Sequence, residues 1–248
     1  MEKLSVVVIT YNEESNIERC LNSVKNIADD VVVVDSFSTD KTREIAEKLG
    51  ARVILQKFLG HIEQKNFAIT QAKNPFILSL DADEAIDEKL EKEIIKIKHN
   101  RISDGYAINR YNNYVGKWIN HGAWKSDVKL RLWDSRNGKW GGLNPHDVFE
   151  MQEQAIVQKI EGNILHWSYK SVEEHQNKIE YFSDIAAKAY KKKGKKSSWF
   201  KIIISPCFRF VRDYIFKLGF LDGKYGFIIA KLTAYEVYLK YKKLKEMN

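Results

Sequence analysis

The sequence predicts an α/β protein, a doubly wound mixed sheet, parallel in its first half, with a C-terminal helical extension. Four short apolar runs, Leu4–Thr10, Val31–Val34, Arg52–Leu55 and Phe76–Leu80, recur at regular intervals with helical patterns between them. Strands buried on both faces that alternate with helices make a parallel, doubly wound sheet. Charge marks off the extension: residues 191–248 hold 15 Lys+Arg against 4 Asp+Glu, leaving 26 against 29 for residues 1–190. The chain's net charge of +8 therefore resides in its tail.

The elements follow in order. Leu4–Thr10 reads LSVVVIT, β-branched nearly throughout, and Val31–Val34 is a run of valines. Ile17, Leu21 and Val24 fall on one helical face between them. Ile45, Ala46 and Leu49 mark a second helix that stops at Gly50, the residue type that ends helices in a left-handed turn. Residues 105–150, with Trp118, Trp124, Trp133 and Trp140, scattered glycines and short strand-like pieces such as Val128–Trp133, read as a loop-rich wall over the sheet edge. Helix returns from Ser171 to Lys193, and Lys191–Lys196 reads as an exposed joint. Two further helices are expected from near Pro206 and Lys224, one carrying Phe208, Val211, Ile215 and Leu218, the other Ile228, Leu232, Tyr235 and Leu239.

Several classes are excluded. With 248 residues, 44% of them hydrophobic and 3 Pro, the chain can bury a core and is not a disordered tail. Its longest run without Asp, Glu, Lys or Arg is Leu4–Asn12, well short of the roughly 20 apolar residues of a membrane-spanning helix. Met1-Glu2-Lys3 leads straight into a strand without the order of a signal peptide, so a cytoplasmic protein is expected. Cys20 and Cys207 offer neither a disulfide framework nor a zinc site. Neither GxGxxG nor GxxxxGK[ST] follows the first strand, and GxSxG is absent, which removes support for dinucleotide, P-loop and acyl-transfer chemistry.

In a doubly wound sheet ligands bind beyond the carboxyl ends of the strands. Those ends are followed here by Tyr11-Asn12-Glu13, by Asp35-Ser36-Phe37-Ser38 and by Asp81-Ala82-Asp83-Glu84. Two carboxylates two apart on a turn can bind a hard divalent cation that also bridges phosphate oxygens. The same acids could instead cap a following helix, with Glu84 and Asp87 in its first turn. Asp35 suits a ribose or base contact, or a plain turn, while Ser38, Thr39 and Asp40 are candidates to cap the helix after them. Trp118, Trp124 and Trp140 could stack on sugars or fill the core.

Taken in order, SVVVITYNEESNIERCLNSV, VVVVDSFSTDKT, GHIEQKNFAI and LSLDADE resemble the family 2 glycosyltransferases of the nucleotide-diphospho-sugar (GT-A) fold. The segment YVGKWINHGAWKSDVKLRLWDSRNGKWGGLNPHDVFE further resembles the lipopolysaccharide-core β-1,4-glucosyltransferase-like branch. The resemblance implies a catalytic domain over 1–170, with 1–100 binding the nucleotide-sugar and 101–170 the acceptor, followed by a basic helical extension over 171–248. It also implies that Tyr11, Glu13 and Asp35 contact the nucleoside, that Lys65 lies near the diphosphate or base, and that Asp81 and Asp83 are the DxD acids, Asp83 on the metal. His166 matches a late histidine that in some proteins of this fold completes the metal shell, with a backbone-satisfied core histidine as the alternative; Arg131, inside a strand-like piece, could hold diphosphate or acceptor charge or simply extend to solvent. The acceptor-side base is expected at Asp147, with His146 and Asp127 as alternatives; this Asp stands where the branch has a longer Glu.

The implied activity is an inverting transfer of a hexose, glucose above all, from a UDP-sugar to a glycan or lipid-linked acceptor in envelope polysaccharide or lipopolysaccharide-core synthesis. Mg²⁺ or Mn²⁺ is the implied cofactor. A nucleotidyltransferase is the alternative enzyme, although Asn12-Glu13-Glu14 is acidic where such enzymes carry a basic phosphate loop. The basic tail calls for a polyanionic partner. Its lysines and arginines accompany Phe208, Phe210, Phe216, Phe220 and Phe227, so the expected partner is the anionic inner membrane surface and no nucleic acid is expected, with a nucleic-acid-binding protein that uses the basic tail as the alternative from another class.

Overall fold

The computed structural model describes residues 1–143 and 146–247, the side chains of Leu143 and His146 excepted. The chain forms two compact units, Met1–Arg110 with Val128–His166, and Tyr111–Asp127 with Trp167–Asn248.

The first unit begins with β1 (Leu4–Thr10), α1 (Ile17–Val24), β2 (Asp30–Asp35), α2 (Thr42–Lys48), β3 (Arg52–Leu55), α3 (His61–Thr70) and β4 (Phe76–Asp81). β5 (Glu84–Ile86) and α4 (Glu88–His99) follow, then β6 (Gly105–Tyr114), β7 (Lys117–Trp118), β8 (Asp127–Asp134), β9 (Gly138–Leu143), β10 (His146–Met151) and β11 (Val157–Tyr169). The main sheet is ordered β3-β2-β1-β4-β8-β6-β11-β5, with β7 paired to β6, while β9 and β10 form a separate hairpin. β1, β2, β3 and β4 are parallel neighbours, whereas β8 lies antiparallel to β4 and β11 antiparallel to β5, so the sheet is mixed.

Alternation along β1 explains the double winding. Val6 and Val8 point into a core with α1, α2 and α4, whereas Val7 joins Val32, Val34, Ile77 and Ala68 of α3 on the other face. Every second side chain of a strand faces the same way, so a strand apolar at every position must be covered twice. Each buried Val or Leu contributes about 1.5–3 kcal/mol relative to exposure.

The α/β class, with its mixed sheet and C-terminal helices, agrees with the expectation. Residues 105–150 do not: strands occupy most of the segment where a loop-rich wall was expected. Asn109, Arg110, Asn112 and Asn113 break the apolar alternation of β6, because that strand spends inward positions on polar partners, such as the Asn112 amide donating to the Trp124 carbonyl at 3.0 Å.

The second unit takes in the end of β6, all of β7 and the end of β11, and its helices are α5 (Val172–Lys192), α6 (Trp199–Val211) and α7 (Gly223–Glu246). Ser171 caps α5 by accepting from the Glu174 N–H at 3.1 Å. α5 and α7 meet through Ile179, Leu232 and Leu239, and Lys243 of α7 pairs with Glu180 at 2.7 Å and Asp184 at 2.8 Å. Ser198 caps α6, which therefore starts seven residues before Pro206 and carries that proline inside it. A π-helical turn, Arg212–Phe216, follows. At Gly226 a side chain would collide with the Gly219 carbonyl, so only glycine lets α7 begin this close to the preceding turn. Among the described residues no helix is long and apolar enough to cross a membrane.

Candidate active site

Register places the candidate loops side by side. Thr10 lies opposite Asp35 and Ile9 opposite Asp81, so the loops leaving β1, β2 and β4 emerge from one edge of the sheet. The first two are zippered together: Asn12 N–H donates to Ser38 Oγ at 2.8 Å, Thr39 N–H to Asn12 Oδ1 at 2.8 Å, and Glu13 N–H to Thr42 Oγ1 at 2.8 Å. Asn12 adopts φ 54°, a left-handed turn that asparagine tolerates. Tyr11 is left exposed at 58%, an open ring at the loop tip. Glu13 accepts from the Asn16 amide at 2.6 Å.

Asp35 is fully buried. Its carboxylate accepts the Ser38 N–H at 2.8 Å and the Ser38 hydroxyl at 2.5 Å, so it shapes the β2 loop whatever else it reads. None of Ser38, Thr39 and Asp40 occupies the N-cap of α2, which is Lys41 without a side-chain cap; Asp40 accepts from the Thr42 N–H at 3.0 Å, and Thr39 is spent on Asn12.

Asp81 ends β4, Asp83 lies in the turn before β5, and neither caps the helix that follows. The helix cap is Asp87, whose carboxylate accepts from Leu90 N–H at 2.8 Å. The two acids have different surroundings. Asp81 is paired with Lys65 Nζ at 3.1 Å and with Arg131 Nη2 at 3.1 Å. Burial alone would raise its pKa, but the two cations outweigh burial and hold it well below the usual carboxylate range. Asp83 instead faces His166, Oδ2 to Nε2 3.3 Å. The antiparallel pairing of β11 with β5 sets His166 opposite Glu84, one residue past Asp83, which explains why residues 83 apart in sequence meet. Burial would lower the His166 pKa, yet the Asp83 carboxylate raises it above its ordinary value.

The remaining candidates close the cluster. Lys65 comes from α3, is 3% exposed, and donates to Asp147 Oδ2 at 2.8 Å while resting 4.6 Å from the centre of the Trp140 ring. Asn66, its neighbour, acts as a side-chain strand partner: it donates to the Trp140 carbonyl at 2.9 Å and accepts the Trp140 N–H at 3.0 Å. This ties the β9–β10 hairpin to α3 and brings Asp147 to Lys65. Arg131, on β8, reaches Asp81 and also Glu84 at 3.0 Å. Burial would lower its pKa, but Glu84, Asp81 and Asp147 hold it above the usual guanidinium value, so it stays charged.

The structure thus brings together Lys65, Asp81, Arg131 and Asp147, and pairs Asp83 with His166. The His146 side chain lies outside the described residues. Asp127 begins β8 and belongs to the second unit. Trp140 is core, packed with Trp133 and Phe149, whereas Trp118 is half-buried and stacked on Tyr111 at 4.9 Å. Glu84 and Arg110 were missed. Glu84 is fully buried between Arg131 and Arg110, the latter at 3.7 Å, and read from sequence as part of a helix start. The signal was Asp87: once it caps a helix from Glu88, residues 84–86 are left for a strand.

Asp83 and His166 fit a divalent cation. A carboxylate oxygen and an imidazole nitrogen already face each other, a donor pair suited to Mn²⁺ and, for the carboxylate, Mg²⁺. Among the described residues no group of three or more such donors occurs, and a cation shared with phosphate oxygens needs only one or two from protein.

The chain is similar in sequence to known proteins of one family. The model of the family described as glycosyl transferase family 2 matches residues 5–159. An uncharacterized glycosyltransferase of Rickettsia typhi is 33% identical over 100% of this chain and 88% of its own length. The lipopolysaccharide core biosynthesis glycosyltransferase LpsC of Rhizobium meliloti is 26% identical over 96% of this chain and 93% of its own. Among solved structures, S. aureus TarS in complex with UDP is 16% identical, covers 97% of this chain and 91% of that one, and has a TM-score of 0.45.

Proposed function

The chain belongs to glycosyl transferase family 2, and from that premise we propose that it transfers a hexose, glucose above all, from a UDP-sugar to a glycan or lipid-linked acceptor of the cell envelope, with inversion at the anomeric carbon. The observation that carries this reading is the unequal treatment of the two acids after β4: Asp81 is clamped by Lys65 and Arg131, and Asp83 faces His166. The relationship to LpsC supports a lipopolysaccharide-core acceptor, and a peripheral position on the inner membrane follows from such an acceptor.

In this reading the exposed Tyr11 ring packs on the base, and Glu13 and Asp35 border the nucleoside. Asp83 and His166 would hold Mg²⁺ or Mn²⁺, and such a cation would supply positive charge against the diphosphate. Lys65 and Arg131 add fixed cations in a buried setting, where they act without reorganising. Asp147 takes the proton of the acceptor hydroxyl. Its ion pair with Lys65 holds the carboxylate in place and couples the acceptor side to the diphosphate side through one ammonium. A single displacement forms the new glycosidic bond and breaks the bond to the nucleoside diphosphate, with the proton left on Asp147.

The test is a thermal-shift screen of UDP, CDP, GDP and dTDP sugars with and without Mn²⁺. A ligand at about 100 times its Kd stabilises by about 2.7 kcal/mol. The expected result is selective stabilisation by a UDP-sugar that EDTA abolishes. Equal shifts with all four bases, or none with any, would overturn the donor assignment.

A further inference from the structure

α6 presents an apolar face that nothing in its own unit covers. Phe200, Ile203, Ile204, Phe208 and Val211 recur at helical spacing, and Phe200, Ile203 and Phe208 are 71%, 60% and 62% exposed. The surface continues past the helix through Phe216, at 74%, and Leu221, at 54%. The opposite side of α6 is the packed one, with Ile202 buried. A helix that packs one apolar side inward and still turns this many large apolar side chains outward carries more apolar surface than a protein in water ordinarily leaves open.

The charges around this face supply the second observation. Between Lys195 and Lys231 the sequence holds only two acids, Asp213 and Asp222. Both are turned inside: Asp213 is 1% exposed and paired with Arg209 and Arg212, and Asp222 is 2% exposed and accepts the backbone N–H of His121 at 2.7 Å. Lys195, Lys196, Lys201, Lys217, Lys224 and Lys231 are all exposed. Between Lys195 and Lys231 every exposed charged side chain is therefore a cation. Sequence charge could not show this, because it counts the two aspartates as surface.

We propose that α6 and the turn after it form a docking face for the surface of an anionic phospholipid bilayer, with the apolar side chains entering the acyl boundary and the lysines meeting the headgroups. An interfacial helix needs this combination of buried apolar area and flanking positive charge. A second copy of the chain would bring one cationic rim against another. Nucleic acid would satisfy the lysines but leave Ile203, Ile204 and Val211 with no base-stacking role. The proposal rests on the transferase reading only for its purpose, the delivery of a lipid-linked acceptor; docking itself requires no donor.

The experiment is flotation of the full-length protein with vesicles of phosphatidylcholine alone or mixed with phosphatidylglycerol, with UDP-induced thermal shift measured on the same samples. Binding should require phosphatidylglycerol and weaken at high salt, as screening shortens the reach of charge. Replacing Lys195, Lys196 and Lys201 together with Gln should weaken it about a hundredfold, at roughly tenfold or less per lysine. The triple variant F200S/I203S/F208S should lose at least about tenfold while keeping the wild-type melting temperature and UDP response, because these side chains are exposed. Full-length protein that ignores phosphatidylglycerol vesicles at low salt, or serine variants that bind as well as wild type, would overturn the proposal. So would a concentration-dependent dimer or an RNA gel shift that those serine substitutions abolish while leaving vesicle binding intact. Loss of the UDP response alone would instead count against the transferase reading.

Discussion

Asp81 and Asp83 in the first unit keep 28% and 26% of their side-chain surface open, whereas Asp213 and Asp222 in the second keep 1% and 3%. All four have cationic or N–H partners nearby. The histidines divide in the same way. His166 is drawn toward its charged form by Asp83, while His175 is buried among Tyr114, Trp124 and Tyr169, bonded to the Tyr114 hydroxyl at 3.0 Å, and pushed down to about 4 by burial. A partly open carboxylate or imidazole beside fixed charges can still take a ligand. A closed one has its bonding capacity spent on the fold.

The largest expected effect tests the open pair. Asp83→Ala should lower transfer by about 10³-fold or more, the scale of a lost electrostatic contact at the reacting centre, with stability within about 0.5 kcal/mol of wild type. Product release assayed beside a thermal melt checks both halves, and an active Asp83→Ala enzyme would dissolve the contrast with Asp213.

The closed histidine should show itself in pH dependence. Its folded pKa of about 4 lies below the ordinary 6.5, so its contribution is complete above pH 6.5 and drains away as the pH falls toward 4. The loss amounts to about 3 kcal/mol. Glu174 and Lys178 act on the ring in opposite directions and offset each other in part. Urea midpoints across this range should fall for wild type and stay flatter for His175→Gln; parallel curves would show that the ring titrates normally.

Asp147→Asn keeps the shape but removes the proton acceptor. Turnover should drop about 10²-fold while UDP-sugar binding by calorimetry persists. Loss of donor binding in the same measure would move Asp147 to the donor side of Lys65.

The smallest effect belongs to the closed aspartates. Asp213→Asn weakens the hold on Arg209 and Arg212, both about a third exposed, so about 1–2 kcal/mol is expected, read as a melting temperature lower by about 2–4 °C per kcal/mol. Turnover on a soluble acceptor should not change.

β1 and β3 were legible to the residue, and Ser171 as the start of a helix nearly so, because these depend on local periodicity and capping chemistry. β6 was not, since its inward Asn112 looks like loop chemistry until the Trp124 carbonyl is brought within 3.0 Å. At the candidate site, Asp81, Asp83 and Lys65 could be named from motif and resemblance, and Arg131 from its place in a strand-like segment. That Lys65 is shared by Asp81 and Asp147, and that Glu84 is the buried counter-charge of Arg131, required α3, β8 and the β9–β10 hairpin to converge.

The amino-acid sequence by itself determined the alternation of strands and helices, the edge where polar loops gather and the basic character of the tail, all properties of neighbours in the chain. Which carboxylate is clamped, which faces an imidazole, and which two acids of the tail turn inward to leave an exposed rim of lysines were decided only by tertiary structure. Ion pairs and burial join residues tens of positions apart, and charge counted along a chain does not reveal which charges reach water.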